Sequence, residues 1–366
     1  MSDGDSVTQE ASGETRNGRD LIFDRHRDFG RWPPAGERQP LAGFDADYVD
    51  ILDYIVRCTH KIWEEGGIGL IYTHYKHNTP VHASSGLSYG RERVIANTIQ
   101  SQAAMPDQIT YADDVIWSGN DRDGYSTSHR FRVVGRNTGY SIYGPPTNRK
   151  VENWGVANCV VRENRVVEEW LYNNELSFIR QLGLPIRETV ERLAGPPLDA
   201  LGVQPVGQIE RTHGQGTPAV LPPRTGGFDI EDLVRRSTHE IWNWRLLNKI
   251  EDYYAENYLY HGATDRETYG RGNYKAHVLS VLAMFPDAVM QVDDLYWNGN
   301  ERDGYRTAMR WTLLGTHTGP GIYGTPTNRQ IQMNGVTQHL VRNERFMEEW
   351  TVFNELRVLQ QLWCGR

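Results

Sequence analysis

Two histidines stand at matching positions in the two halves of this chain, and their side chains could move protons near neutral pH. They are His82 and His261, and each follows a segment that contains several tyrosines. An imidazole has an unperturbed pKa of about 6.5, so it can act as a general acid or base under physiological conditions. The shared position predicts a catalytic histidine in each half. The alternative is a loop histidine that is bonded to backbone.

Three further polar residues lie in strand-like runs. His129 stands where the second half has Met309, and it would add a polar group to the interior if its side chain points inward. Arg130 and Arg310 share one midstrand position. A buried arginine pairs with a carboxylate of the chain or with one of a ligand, and both alternatives remain open. We predict all three as candidate catalytic residues.

Aromatic side chains are concentrated in the segments before the two histidines and in the first long strand of each half. Such side chains usually fill a core, but in an open fold they also form a pocket wall, where a hydroxyl can bond a substrate oxygen. The predicted substrate-binding residues are Tyr72, Tyr75, Tyr254, Tyr258, Trp117, Trp297 and His339.

These residues belong to a duplicated sequence. Residues 113–176 align with residues 293–356 without a gap, and 32 of the 64 positions are identical. A chain of 366 residues is also about the right length for two domains. We therefore predict two tandem copies of one domain.

Each copy begins with helices and continues with strands. The segments 47–65 and 229–249 carry apolar residues at helical spacing, and a second helix in each copy ends at a Pro-Asp pair. About four long antiparallel strands follow, and an Asp-Gly pair predicts a tight hairpin between the first two. This order is typical of the α+β class.

The spacing of prolines, glycines and polar residues predicts the boundaries. We expect an N-terminal arm at 1–44 that is partly disordered, a first domain at 45–184, a linker at 185–228 with one short helix at 186–194, and a second domain at 229–366.

Composition narrows the possible functions. The net charge of −8 disfavours binding to nucleic acid, and no apolar run approaches the 18 residues of a membrane span. Three scattered cysteines indicate neither a disulfide framework nor a zinc site. We expect a cytoplasmic protein that binds a small molecule and needs no cofactor or metal.

A series of short motifs in the second copy resembles the SnoaL-like polyketide cyclase family, within the nuclear-transport-factor-2-like superfamily. The series is YAENYLYHG at a helix end, Gly-Arg, Phe-Pro-Asp, GTHTG, YGTPTNR and MEEW, and the first copy repeats it in weaker form. The resemblance implies two cone-shaped domains, each a curved antiparallel sheet around helices with an apolar pocket. Family members commonly pair through their sheets, so the copies could form an intramolecular pseudo-dimer, with a homo-oligomer also possible.

The resemblance also implies acid–base chemistry without a metal, and one departure from the family pattern affects it. Enzymes of this family usually carry an aspartate after the tryptophan of the last strand, whereas this chain has Leu171 and Thr351 there. We therefore expect a histidine to act in cyclisation, isomerisation or elimination of a partly apolar carbonyl or hydroxyl compound. The alternative is a binding or assembly module without catalysis.

Overall fold

The computed structural model describes residues 39–84, 86–195 and 226–365. Most of the predicted N-terminal arm and the central part of the predicted linker lie outside these residues. The short helix predicted within the linker is present as Ile186–Ala194.

The first half combines helices with a six-stranded sheet, as the α+β prediction requires. The long strands β3 to β6 form the predicted antiparallel meander. Two short strands extend it, and β1 pairs with β6 in parallel, so the sheet order is β2-β1-β6-β5-β4-β3. The elements are α1 (Ile51–Trp63), α2 (Ile71–His74), β1 (Pro80–Ala83), β2 (Gly86–Tyr89), α3 (Arg91–Ala104), β3 (Ile109–Asn120), β4 (Gly124–Arg136), β5 (Lys150–Arg162), β6 (Arg165–Asn173), α4 (Glu175–Leu182) and α5 (Ile186–Ala194).

The second half repeats this topology with the order β8-β7-β12-β11-β10-β9. The tyrosine-rich segment before His261, predicted from the sequence as a helix end, is strand β7. Its inward tyrosines, Tyr258 and Tyr260, alternate with outward residues at the period of a strand. The elements are α6 (Ile230–Thr238), α7 (Ile250–Tyr253), β7 (Tyr254–Gly262), β8 (Arg266–Tyr269), α8 (Arg271–Met284), β9 (Val289–Asn300), β10 (Gly304–Thr316), β11 (Gln330–Arg342), β12 (Arg345–Phe353) and α9 (Glu355–Cys364).

Local sequence signals explain where the helices and turns lie. The Asp50 side chain accepts a hydrogen bond from the backbone N–H of Asp53 and caps α1, so the helix begins later than predicted. The buried face of α1 carries the apolar residues at the expected spacing. Gly124 and Gly304, with φ of 91° and 90°, begin β4 and β10 directly after the predicted hairpin turns.

Each sheet has an inner face toward its own helices and an outer face toward the other half. The inner face of the second sheet joins its helices in one continuous apolar cluster, which also includes Leu176, Ile179 and Val190 of the first half. Two further clusters lie within the first half. On the outer faces, Val156 and Tyr172 of the first sheet form a buried cluster with Val336 and Val352 of the second. We call this contact the inter-sheet interface.

Two amide side chains of the second half reach across the inter-sheet interface. Asn298 accepts from the backbone N–H of Trp117 at 2.8 Å and donates to its carbonyl at 2.7 Å. Gln338 donates to the carbonyl of Ser128 at 3.0 Å and accepts from Arg130 Nε at 3.1 Å. Both amides hold the first half through groups that lie on its outer face.

A buried carboxylate forms the ionic contact of the same interface. Asp114 Oδ2 of the first half lies 3.2 Å from Arg306 Nε of the second half and 3.9 Å from Arg130. The corresponding aspartate of the second half, Asp294, is 40% exposed and lies 3.8 Å from Arg310. The sequence repeat therefore does not produce a symmetric set of ion pairs.

Candidate active site

A pocket lies on the inner face of the second sheet. Its empty volume, which includes the open space at its mouth, is about 770 Å³. Its wall is mainly apolar and aromatic, which suits a partly apolar small molecule. The polar side chains that line it are Ser237, Thr238, Tyr254, Tyr260, Arg266, Tyr274, His277, Tyr323, Thr337, His339, Glu349 and Thr351.

Glu349 is the buried carboxyl group of this pocket. The hydroxyl of Thr351 donates to its Oε1 at 2.5 Å, and the Tyr258 hydroxyl donates to its Oε2. Burial raises the pKa of Glu349, and the hydrogen bonds from Thr351, Tyr258 and Tyr274 oppose this effect only in part. Glu349 therefore exchanges a proton closer to neutral pH than an ordinary glutamate does.

Two histidines line the pocket as neutral groups. Burial lowers the pKa of His339 to about 3, and its Nδ1 is hydrogen-bonded to the Thr307 hydroxyl at 2.8 Å. Its Nε2 lies 3.7 Å from Glu349 Oε2. Burial and the charge of Arg266 lower the pKa of His277 to about 4. Both imidazoles are uncharged near neutral pH, which leaves Glu349 as the group poised to exchange a proton.

Hydroxyl groups fix the orientation of Glu349. Thr351 is hydrogen-bonded to Thr337 at 2.7 Å, and Thr337 accepts from the indole N–H of Trp311 at 3.0 Å. The chain of bonds from the Trp311 indole to the Glu349 carboxyl is buried along its whole length. A carboxyl group held in this way is positioned before a substrate arrives.

The structure places His82 and His261 on the outer face of their sheets, away from the pocket of the second half. His82 stacks on Trp170 with ring centroids 5.0 Å apart, and His261 stacks on Trp350 at 5.2 Å. Alternation along β1 and β7 directs them away from the inner face. Burial lowers the pKa of His261, but the hydrogen bond and charge of Glu348, with those of Glu267, outweigh it and raise the pKa.

Arg130 and Arg310 lie at the inter-sheet interface. The guanidinium of Arg130 lies 3.9 Å from the ring centroid of Trp350, and that of Arg310 lies 3.9 Å from the ring centroid of Trp170. Each arginine thus covers the tryptophan of the other half, as a cation–π contact. Their acidic neighbours are the chain's own Asp114 and Asp294 on the preceding strands.

The other predicted residues fall into two groups. His339 and Tyr254 line the pocket, and Tyr258 lies behind it as a partner of Glu349. The side chains that the structure places elsewhere are His129, buried inside the first half, Tyr75, buried beside Glu169, Trp117, packed on the first apolar core, and the exposed Tyr72 and Trp297.

The first half carries a related carboxyl group. Glu169 corresponds to Glu349 and is buried, with Tyr75 as its hydrogen-bond partner. Cys159 stands opposite it in the strand register, where the second half has His339. Burial raises the pKa of Glu169 to about 7. The two halves therefore share the buried acid but surround it with different groups.

The raised pKa of Glu169 predicts a pH-dependent stability. The folded state keeps the proton up to about pH 7, whereas the unfolded chain releases it near the ordinary value of 4.5. The stability of the protonated form is therefore present below pH 4.5 and is lost as the pH rises through 7. Glu169→Gln should remove part of this loss, as measured by urea unfolding on both sides of the interval. Glu188→Gln on an exposed helix face is the control; an equal response of both variants would contradict the assignment.

Neither a metal cluster nor a membrane-spanning helix occurs in the described part of the chain. No group of three or more histidine, cysteine, aspartate or glutamate side chains in residues 39–84, 86–195 and 226–365 could hold a metal ion. None of the helices in these ranges is long and apolar enough to span a membrane.

Comparison with known proteins identifies the class of fold that this site occupies. Residues 232–362 match the family model of the SnoaL-like polyketide cyclases. A search of curated proteins found no match. Among solved structures, IdmH from Streptomyces antibioticus is 24% identical with a TM-score of 0.31, and the match covers 36% of this chain and 96% of that chain. A SnoaL-like polyketide cyclase from Agrobacterium tumefaciens is 16% identical with a TM-score of 0.31, over 37% and 99% of the two chains.

The second half is thus an α+β domain with a pocket between its helices and its sheet. Residues 232–362 carry the match to the SnoaL-like polyketide cyclase family, and the first half repeats the sheet topology of this part of the chain. The family resemblance and the fold class predicted from the sequence are confirmed.

Proposed function

We propose that the second domain is a cyclase-like acid–base enzyme in which Glu349 moves the proton. The observation that carries this proposal is a buried carboxyl group with a raised pKa on the wall of the pocket, held by hydroxyl donors. Thr351 stands where enzymes of the family usually carry an aspartate, and Glu349 lies two residues earlier on the same face of β12. The chain thus supplies a carboxyl group to the same wall from a different position.

The proposed reaction is cyclisation, isomerisation or elimination of a partly apolar carbonyl or hydroxyl compound. The carboxylate form of Glu349 removes a proton from the carbon next to a carbonyl, and the electron pair moves to the carbonyl oxygen. A hydroxyl group of Tyr254 or Tyr260, both of which line the pocket, donates a hydrogen bond to that enolate oxygen. In isomerisation the proton returns from Glu349 to another carbon, and in elimination it goes to the departing hydroxyl group. In cyclisation the enolate carbon attacks a second carbonyl group of the same molecule, and Glu349 gives the proton to the alkoxide oxygen that forms.

The two domains are proposed to form a pseudo-dimer within one chain. The support is the inter-sheet interface, where each half covers a tryptophan of the other with an arginine. In this arrangement His82, His261, Arg130 and Arg310 are interface residues. Their presence in both halves is explained by the pairing of the two sheets.

The cytoplasmic location predicted from the sequence stays a prediction.

Hydrogen–deuterium exchange at carbon tests the proposed chemistry whatever the final product is. The protein is incubated in D₂O with a panel of apolar β-diketones and hydroxyketones, and NMR follows the protons next to the carbonyl. We expect at least one compound to exchange faster with the protein than without it, because every proposed reaction begins with removal of such a proton. The double variant His82→Ala, His261→Ala should retain the exchange. Binding without exchange across the panel would favour the alternative, a ligand-binding or assembly module. The support for that alternative is the absence of the aspartate that enzymes of the family usually carry.

A further inference from the structure

The interior of the first domain differs from the pocket of the second by its smaller side chains. At matching inner positions Tyr274 is replaced by Val94, Met284 by Ala104, Trp311 by Phe131, Met333 by Asn153 and Thr337 by Ala157. Each exchange removes side-chain volume from the space between the sheet and the helices. Two apolar clusters lie within the first domain, while Leu176, Ile179 and Val190 of its helices α4 and α5 belong to the cluster of the second domain.

Side-chain exposure shows that this space is open. Phe131, Val133, Asn153, Ala157 and Leu171 point to the inner face of the first sheet and are only half-buried. Their counterparts in the second domain are all buried. These inner-face residues stay partly exposed where the matching residues of the second domain are buried, which indicates a cavity in the first domain.

The cavity carries hydrogen-bond acceptors that lack donors. In the second domain, Arg266 lines the pocket and pairs with Glu355. Gly86 stands at the position of Arg266 in the first domain, so the matching Glu175 lacks the cation that Glu355 has. The Tyr143 hydroxyl donates to its Oε1 at 3.2 Å, and the Ser84 hydroxyl also stabilises this carboxyl group. No donor among the described residues forms a hydrogen bond with the buried Oε2.

A second acceptor lies in the same part of the interior. Asn153 is directly opposite Val133 in the β4–β5 register, and Val133 packs on the same apolar cluster as Tyr143, the partner of Glu175. The Oδ1 atom of Asn153 is buried, and no donor in the described part of the chain reaches it. A buried acceptor without a donor destabilises the protein, so a ligand that supplies the donor gains affinity.

We propose that the first domain holds a second ligand site, which selects small apolar molecules that carry a hydrogen-bond donor, either a hydroxyl group or a protonated amine. Half-exposed apolar side chains receive the apolar part, and Glu175 with Asn153 receives the donor. The site differs from the second pocket, where Arg266 already occupies the carboxylate. It does not depend on the catalytic role of Glu349.

The methionines distinguish the two sites. Met105 belongs to the apolar cluster beside the proposed site, while Met284, Met290, Met309 and Met333 line the second pocket. The full chain with ¹³C-methyl methionine is titrated with benzyl alcohol, benzylamine and toluene. We expect the Met105 signal to shift with benzyl alcohol or benzylamine at lower concentration than with toluene, because only the first two carry a donor. A stronger effect of benzylamine that disappears in Glu175→Gln identifies an ammonium site, and equal effects of the two identify a hydroxyl-type site.

Two variants complete the test. Ala157→Met fills the cavity and Asn153→Leu removes an acceptor, and either should weaken the donor-bearing probe by at least about tenfold, or 1.4 kcal/mol. If Ala157→Met does not fold, Asn153→Leu alone decides. The proposal is overturned if toluene shifts Met105 as readily as the other probes, if only the four methionines of the second pocket respond, or if the folded variants bind as the wild type does.

Discussion

Glu349→Gln is expected to lower turnover, measured as α-proton exchange, by about 10²–10⁴-fold, the usual contribution of a positioned general acid or base. Glutamine keeps the shape of the side chain and can still accept one hydrogen bond, but it cannot take up or release a proton. Because the pKa of Glu349 is raised, the populations of its protonated and ionised forms at neutral pH differ less than in an exposed glutamate. Its loss therefore removes the step and leaves the pocket in place.

The matched control for this experiment is Glu169→Gln in the first domain. It changes the corresponding buried acid, next to Cys159 in place of His339, and should leave turnover near the wild-type value. Circular dichroism and ligand binding confirm that both variants are folded. Unchanged turnover in Glu349→Gln would show that another group moves the proton.

The second large effect concerns stability. Asp114→Ala is expected to lower the free energy of unfolding by about 3–5 kcal/mol, because it leaves Arg306 and Arg130 at the interface without their carboxylate. All three side chains are largely buried, with exposed fractions of 6%, 11% and 11%. Urea unfolding followed by tryptophan fluorescence measures the loss.

The repeat provides the control for this prediction as well. Asp294→Ala changes the corresponding residue of the second half, which is 40% exposed and more loosely paired with Arg310. It should cost less than about 1 kcal/mol, as exposed ion pairs do. Equal losses for the two variants would mean that burial at the interface does not determine the strength of these pairs.

The sequence predicted the fold well because the fold depends on patterns that repeat. Local signals include the helical spacing of apolar residues in α1, the proline that ends α3 and the Asp-Gly pairs at the turns. Because the sequence is duplicated, most of these patterns occur twice. Strand β7 had no such signal. The motif YAENYLYHG predicts a helix end, whereas Tyr254–Gly262 is a strand, so the sheet face on which His261 lies does not follow from the sequence.

The candidate acid was missed for a different reason. Phe346 and Glu348 are two residues apart and would share a face in a regular strand, yet Phe346 lies in the inner core beside His339 while Glu348 meets His261 on the outer side. A β-bulge between Phe346 and Glu348 reverses the alternation there. Only after this reversal does Glu349 point into the pocket. β-Bulges often redirect a side chain beside an active site. The residue types in the motif MEEW do not predict a β-bulge.

The identity between the two halves was also misleading about function. His82 and His261 are retained together with Trp170 and Trp350, on which they stack. Retention in both copies marks a demand common to both, and in the proposed pseudo-dimer that demand is the contact between the sheets. The pocket is where the copies differ, since Cys159, Ala157 and Leu171 stand opposite His339, Thr337 and Thr351.

Three of the polar side chains at the inter-sheet interface belong to the second half, while Arg130 reaches Gln338 from the first half. Asn298, Gln338 and Arg306 extend from the second half, and the matching residues of the first half are Ser118, Asn158 and Ser126. Two first halves facing one another would meet with these shorter side chains, and Asp114 would have no Arg306 beside it. The interface therefore favours the pairing of a first half with a second half over the pairing of two first halves.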